Sequence, residues 1–175
     1  MNNLADSLRE ARVRRVKEHV RFENTHDLDA VMGTFSGEPY YDEEPWGEHH
    51  VGWEAVKKHY EQLFKAAPDL TIEILNRYIV DEAVILECEI RGSHLGWWRG
   101  LPPTGRRIRF PLCAVYTFAE GDNKLAGERV YYDRVTVLNQ LGVLHDPEAA
   151  LGRTLTTITH PITFGRALFR WIRWR

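Results

Sequence analysis

Apolar positions recur at helical spacing up to residue 68 and at alternating spacing after it. Val13, Val16 and Val20, with Phe22 or Glu23, trace one stripe, which predicts a helix from about Leu4 to Thr25. His26 and Asp27 open a short second helix over Leu28–Met32, ended by Gly33. The stretch SGEPYYDEEPWGEHHVGW (36–53) holds two prolines, three glycines and many acids, so it is expected to be loop, with one short strand around Pro39–Asp42. Asp42, Glu43 and Glu44 are expected there as a solvated acidic loop. Val56, Tyr60, Leu63 and Phe64 then mark an amphipathic helix that Pro68 closes.

After Pro68 the period is two. Residues 70–75, 84–91 and 108–118 alternate, and a fourth β-rich run covers Leu125–Val137. Turn signals separate them at Val80-Asp81-Glu82, at Pro102-Pro103-Thr104-Gly105 and at Glu120-Gly121-Asp122-Asn123. Helices followed by consecutive strands with short turns predict an α+β fold: a cone-shaped, curved antiparallel sheet wrapped around the N-terminal helices. Its apolar hollow is where a small molecule would bind. Beyond Leu144, Asp146 is expected to N-cap a further helix with Pro147 in its first turn. The closing stretch HPITFGRALFRWIRWR interleaves aromatic and aliphatic residues with arginine and reads as helix from about Ile162.

Composition adds limits. The 175 residues suit one domain, and 43% apolar content is enough for one core. The net charge of −2 gives no global nucleic-acid signature. Five arginines and no acid lie between Leu151 and Arg175, which leaves 18 basic against 25 acidic residues before them, a balance of −7. Cys88 and Cys113 sit in alternating apolar runs and are expected as buried free thiols. The polar N-terminal stretch lacks the apolar core of a secretory leader, and no run approaches the ~20 apolar residues of a membrane span. A cytoplasmic location is expected.

GSHLGWWRGLPPTGRRI (92–108) resembles the Gly-Ser/Thr-His … Gly … Pro-Thr-Gly-Arg hairpin of the SnoaL-like polyketide cyclase family, part of the nuclear transport factor 2-like superfamily. FENTHDLDAVMGTF (22–35), GWEAVKKHYEQLFKAAPDLTIEI (52–74), EGDNKL (120–125) and ERVYYDRVTVLNQLG (128–142) agree with that family in order and spacing. The resemblance spans about Val13 to Leu144. It implies a SnoaL-like α+β barrel domain over residues 1–150 and self-association as a homodimer; residues 151–175, read from their own pattern as a basic aromatic helical extension, lie outside it. The superfamily hosts cyclases, isomerases, dehydratases, epoxide hydrolases and proteins without chemistry, so fold alone does not give function.

By the same resemblance, Asp133 matches the aspartate that serves as general acid/base in the characterised cyclases. A carboxylate within VYYDRV would be desolvated and its pKa raised towards neutrality. Arg129, Tyr131 and Asp133 would share one strand face, so Tyr131 is a candidate substrate contact. The plainer reading pairs Asp133 with Arg107 or Arg109. His94 matches the family histidine and is the second catalytic candidate, as a donor to a substrate oxygen or a proton shuttle; otherwise it holds the hairpin backbone. Trp46, Trp53, Trp97 and Trp98, with Tyr41, are candidates to line the pocket, against core or subunit-interface packing. Glu48, His49, His50 and His59 invite a metal reading, but adjacent histidines rarely point at one ion, and the cyclases this chain resembles need no metal, so neither metal nor cofactor is expected.

No Gly-x-Ser-x-Gly, phosphate loop or Cys-x-x-Cys occurs, which leaves serine hydrolysis and nucleotide chemistry without support. The Asp–Arg–Asp arrangement of the epoxide-hydrolase branch lacks an assignable second aspartate. The leading expectation is a cyclase, isomerase or dehydratase moving a proton next to the carbonyl of a small apolar or aromatic compound. The alternative is a binding module for a small apolar ligand. The tail is expected to pack on the domain or on a partner subunit, with an anionic membrane surface as the other reading.

Overall fold

The computed structural model describes residues 2–121, 123–144, 154, 158 and 161–173. Helix α1 spans Asn2–Asn24 and α2 spans Leu28–Gly33; the side chain of Asp27 caps α2 by accepting from the Ala30 amide at 3.1 Å. The sheet consists of β1 (Phe35–Glu43), β2 (Glu48–Val51), β3 (Thr71–Ile79), β4 (Ala83–Ser93), β5 (Arg107–Phe118) and β6 (Leu125–Tyr132). Helix α3 (Trp53–Ala66) precedes β3, α4 (Arg134–Leu141) follows β6, and α5 (Pro161–Arg173) closes the described chain.

The expected cone is present: a curved, unclosed six-stranded sheet in the order β2-β1-β6-β5-β4-β3 holds α1, α2 and α3 in its hollow. Buried Val16 and Val20 of α1, Val31 of α2, and Val56 and Tyr60 of α3 meet Phe35, Leu86, Tyr116, Leu125 and Val130 of the sheet.

Residues 36–53 depart from the loop expectation. Phe35–Glu43 forms a strand that runs parallel to β6, and β2 folds back beside it antiparallel. The pairing of β1 with β6 slips between Phe35 and Tyr40, where Gly37 at φ 67° and Pro39 sit, so the turn-forming residues occupy a bulge and leave Tyr40–Glu43 paired on both sides. A 3₁₀ turn, Glu44–Trp46, and Gly47 at φ 64° then reverse the chain. Asp42 and Glu43 are buried rather than solvated.

The run Leu125–Val137 also divides. β6 ends at Tyr132, and Asp133 starts α4, whose Val137 and Leu141 are buried. Gln140 pins α4 to β5 by accepting from the Arg109 amide at 2.7 Å and donating to its carbonyl at 2.8 Å. The thiols of Cys88 and Cys113 are free as expected; Cys88 is buried and Cys113 half-buried. The expected cap at Asp146 and the boundary between residues 150 and 151 lie outside the described residues.

Candidate active site

A cavity of about 910 Å³ opens between the concave sheet face and helices α3 and α4. Aliphatic and aromatic groups from β3, β4 and β5 line most of it, among them Ile72, Ile90, Phe110 and Leu112. Side-chain parity decides which polar groups enter. On β6, Glu128, Val130 and Tyr132 face the cavity, while Tyr131 faces solvent at 45% exposure. Glu128 pairs with Tyr41 of β1 on one side and Tyr116 of β5 on the other, so one carboxylate lies between two inward phenols.

Glu128 and Glu23 of α1 are both buried and both line the cavity. Behind them stand His19 and Tyr60, each fully buried. The Tyr60 hydroxyl donates to Glu128 Oε2 at 2.8 Å, and His19 Nε2 lies 3.1 Å from the Tyr60 oxygen and 3.4 Å from Glu128 Oε2. The Thr34 hydroxyl donates to the Val31 carbonyl at 2.6 Å, so its oxygen accepts from His19 Nδ1–H at 2.7 Å. This chain holds the ring in one orientation. Oε2 of Glu23 has no hydrogen-bond partner among the described residues and lies 3.8 Å from His19 Nε2. Burial first, and then the neighbouring Glu128 charge, pushes the Glu23 pKa well above the usual carboxylate range. The result is a carboxyl whose surroundings favour its protonated form beside a hydrogen-bonded one, at the end of an apolar cavity.

One donor atom each from His19, Glu23 and Glu128 lies within 4.8 Å of the others, close enough to converge on a divalent ion. Thr34 and Tyr60 already engage both His19 nitrogens, which suits a proton relay as well.

A second polar group stands at the mouth. Arg99, at φ 50°, bridges Glu43 of β1 and Glu48 of β2 and reaches Glu48 Oε2 at 3.0 Å. Its guanidinium lies 4.4 Å over the Trp46 ring and 5.4 Å over Trp98. The Tyr132 hydroxyl donates to Glu43 and accepts from Trp46 Nε1 at 2.7 Å. The hairpin between β4 and β5 is thereby tied across the cavity to β1 and β2. Gly96 makes its other attachment possible: the amides of Leu95 and Gly96 donate to the Ala66 carbonyl at 2.9 and 3.0 Å, and a Cβ on Gly96 would stand 2.0 Å from the Lys65 carbonyl oxygen.

His94 is buried on this hairpin and lines the cavity. The Thr104 amide donates to its Nδ1 at 3.2 Å, which places the proton of the neutral ring on Nε2. Burial lowers its pKa, so the ring is neutral at neutral pH. Nε2 is buried beside the Gly96 backbone, and no hydrogen bond of good geometry holds it among the described residues. His59 also lines the cavity; it stacks on Tyr41 at 4.1 Å and on His50 at 4.6 Å, and burial takes its pKa to about 3.

The remaining expected site residues are dispersed. Trp98 and Tyr41 line the cavity, and Trp97 reaches its edge while 68% exposed. Trp46 supports the mouth from behind Arg99, whereas Trp53 is exposed and donates to the Gly37 carbonyl at 2.9 Å, away from the cavity. Asp133 and Tyr131 do not line it. Asp133 is exposed and caps α4, accepting from the Val135 and Thr136 amides at 2.9 and 3.3 Å and from the Thr136 hydroxyl at 2.6 Å. Those bonds lower its pKa, the reverse of the desolvated acid expected there, and its partners belong to α4, not to Arg107 or Arg109. His49 turns away from His50 to meet Asp42 at 3.0 Å, so that adjacent pair does not converge.

Glu23, Glu43, Arg99 and Glu128 were missed from sequence. The signal for Glu23 was its place at the end of the Val16–Val20 stripe; Glu128 shares a parity with Val130 and Tyr132, but the sequence does not say which parity faces inward.

The chain is similar in structure to AclR of Streptomyces galilaeus (25% identity, TM-score 0.67, covering 78% of this chain and 99% of that one). It also resembles a SnoaL-like protein of Jannaschia sp. CCS1 (18%, TM-score 0.71, 79% and 96%) and IdmH, a candidate polyketide cyclase of Streptomyces antibioticus (20%, TM-score 0.63, 75% and 99%). No curated relative matches. The family model of SnoaL-like polyketide cyclases matches residues 11–141, three quarters of the chain, with the cavity's acidic floor and the hairpin inside that span. This protein therefore belongs to the SnoaL-like polyketide cyclase family.

Proposed function

We propose that this protein is an enzyme that moves a proton next to the carbonyl of a small, mostly apolar or aromatic compound, with Glu128 as base and Glu23 as acid. The observation that carries this reading is the pair of buried carboxyls at the inner end of an apolar cavity, one hydrogen-bonded by Tyr60 and the other kept protonated by its surroundings. A carboxyl held towards its protonated form suits the acid role, and the hydrogen-bonded one beside it is left for the base role.

Glu128 takes the proton from the carbon, and the electron pair moves onto the carbonyl oxygen. The protonated Glu23, or Nε2–H of His94, meets the enolate charge as it develops. The enolate then attacks a second carbonyl of the same molecule, whose new alkoxide takes a proton from Glu23; or, in a β,γ-unsaturated ketone, where it is a dienolate, it regains at the γ-carbon the proton that Glu128 holds; or it expels a β-hydroxyl group, which leaves as water with that proton. These outcomes are cyclisation, isomerisation and dehydration. The apolar walls exclude water, which strengthens each of these contacts.

Deuterium exchange into aromatic and alicyclic ketones, followed by NMR in D₂O, tests the reading without knowledge of the natural substrate. Exchange that depends on the protein and falls by roughly 10²-fold or more in Glu128→Gln is expected. Ligands that bind without exchange would leave the cavity as a binding module, and exchange that survives Glu128→Gln in a folded variant would take the base role from Glu128.

A further inference from the structure

Helix α5 stands apart from this chemistry. It runs over Pro161–Arg173, and residues 151–175 contain no acid. Ile162, Phe169 and Ile172 recur at i, i+7 and i+10 and so share one side. Arg166, Arg170 and Arg173 recur at i, i+4 and i+7 on the adjoining side. Ile162, Phe169 and Ile172 are 71%, 61% and 59% exposed, so this stripe is open to solvent. The three arginines are exposed as well.

We infer that α5 is an interfacial anchor that lies on an anionic lipid surface, with Phe169 and Ile172 entering the acyl boundary and Arg166, Arg170 and Arg173 meeting phosphate headgroups. Two features favour a bilayer over a protein groove. An apolar stripe beside an acid-free row of cations matches the layering of a membrane interface, apolar below and anionic above. Arginine also forks onto phosphate oxygens in a way that a hydrated ammonium does not. The helix cannot span: 13 residues rise about 20 Å, against about 30 Å of hydrocarbon, and no described helix is long and apolar enough to cross a membrane. An anchor of this kind would hold the cavity beside the phase in which apolar compounds concentrate.

Flotation of the full chain with vesicles tests this. Binding is expected to vesicles that are roughly one-third phosphatidylglycerol, with at least tenfold weaker binding to pure phosphatidylcholine or in about 0.5 M salt, where surface charge is screened. Arg166→Gln/Arg170→Gln/Arg173→Gln should lower the partition coefficient by roughly 100-fold, about fivefold per charge. Phe169→Glu/Ile172→Glu should abolish flotation while the melting temperature and sedimentation coefficient stay unchanged. No flotation on anionic vesicles, or variants that float as the parent does, would overturn the anchor. So would a Phe169→Glu/Ile172→Glu chain whose mass in lipid-free sedimentation falls, since the apolar stripe would then be a seam between copies.

Discussion

The Tyr60 hydroxyl donates to Glu128 Oε2 at 2.8 Å and joins α3 to β6 across 68 residues of sequence. Both side chains are buried, so neither has water as a substitute partner. Tyr60→Phe leaves the carboxylate one donor short, and a loss of about 1–3 kcal/mol is expected in chemical denaturation. Turnover in the exchange assay should also fall, by less than in Glu128→Gln, with KM little changed because Tyr60 does not line the cavity.

Glu23 gives stability a pH dependence of definite sign. Its pKa is raised in the folded state, so folding favours its protonated form. That contribution is complete below the usual carboxylate pKa and is lost as pH rises towards the folded value, with a limiting slope of about 1.4 kcal/mol per pH unit. Glu23→Gln imitates the protonated acid without titrating. The variant should match the parent near pH 4 and exceed its stability near pH 8, measured by urea denaturation across that range. A parent that gains on the variant as pH rises would contradict the assignment.

Asp133 is a cap, and its substitutions should behave accordingly. Asparagine caps as well as aspartate, so Asp133→Asn should melt and turn over like the parent. Asp133→Ala should cost about 1 kcal/mol of stability. Loss of exchange activity in a stable Asp133→Asn protein would return the acid/base role to this residue.

Arg99 answers two carboxylates at once, and Glu43 is the buried one. Arg99→Ala should cost on the order of 3 kcal/mol, because the buried Glu43 loses its cationic partner and keeps only the Tyr132 hydroxyl. Arg99→Lys should recover only part of this, since an ammonium does not fork between two acids. Glu43→Gln in the Arg99→Ala background should restore stability, and that coupling is read from a double-mutant cycle. Hydrogen exchange over residues 94–106 should quicken in Arg99→Ala, which frees the hairpin from β1 and β2.

The two strand errors share one origin. Period-two patterning identified β3, β4 and β5, and β6 within a run drawn too long, because each has an apolar inward face. Over 35–43 it reached only the short strand expected around Pro39–Asp42, because a glycine–proline bulge interrupts the alternation, and it ran past Tyr132, where apolar residues continue but Asp133 turns the chain into a helix. The helix stripes of α1 and α3 were legible throughout, as they carry ordinary core residues.

The chain's own pattern determined α1, α2, α3 and α5, strands β3 to β6, the turns between them and the hairpin that carries His94 and Trp98. Each depends on contacts between residues close in sequence, or on a periodicity that local geometry imposes. The acidic floor was decided only in three dimensions. Glu23, Tyr60 and Glu128 come from α1, α3 and β6, and nothing local in ERVYYD says which parity faces inward. The pairing of β6 between β1 and β5 settles it: Glu128 turns towards Tyr60 and the cavity, and Asp133, just beyond the strand's last residue, is left in water to cap α4.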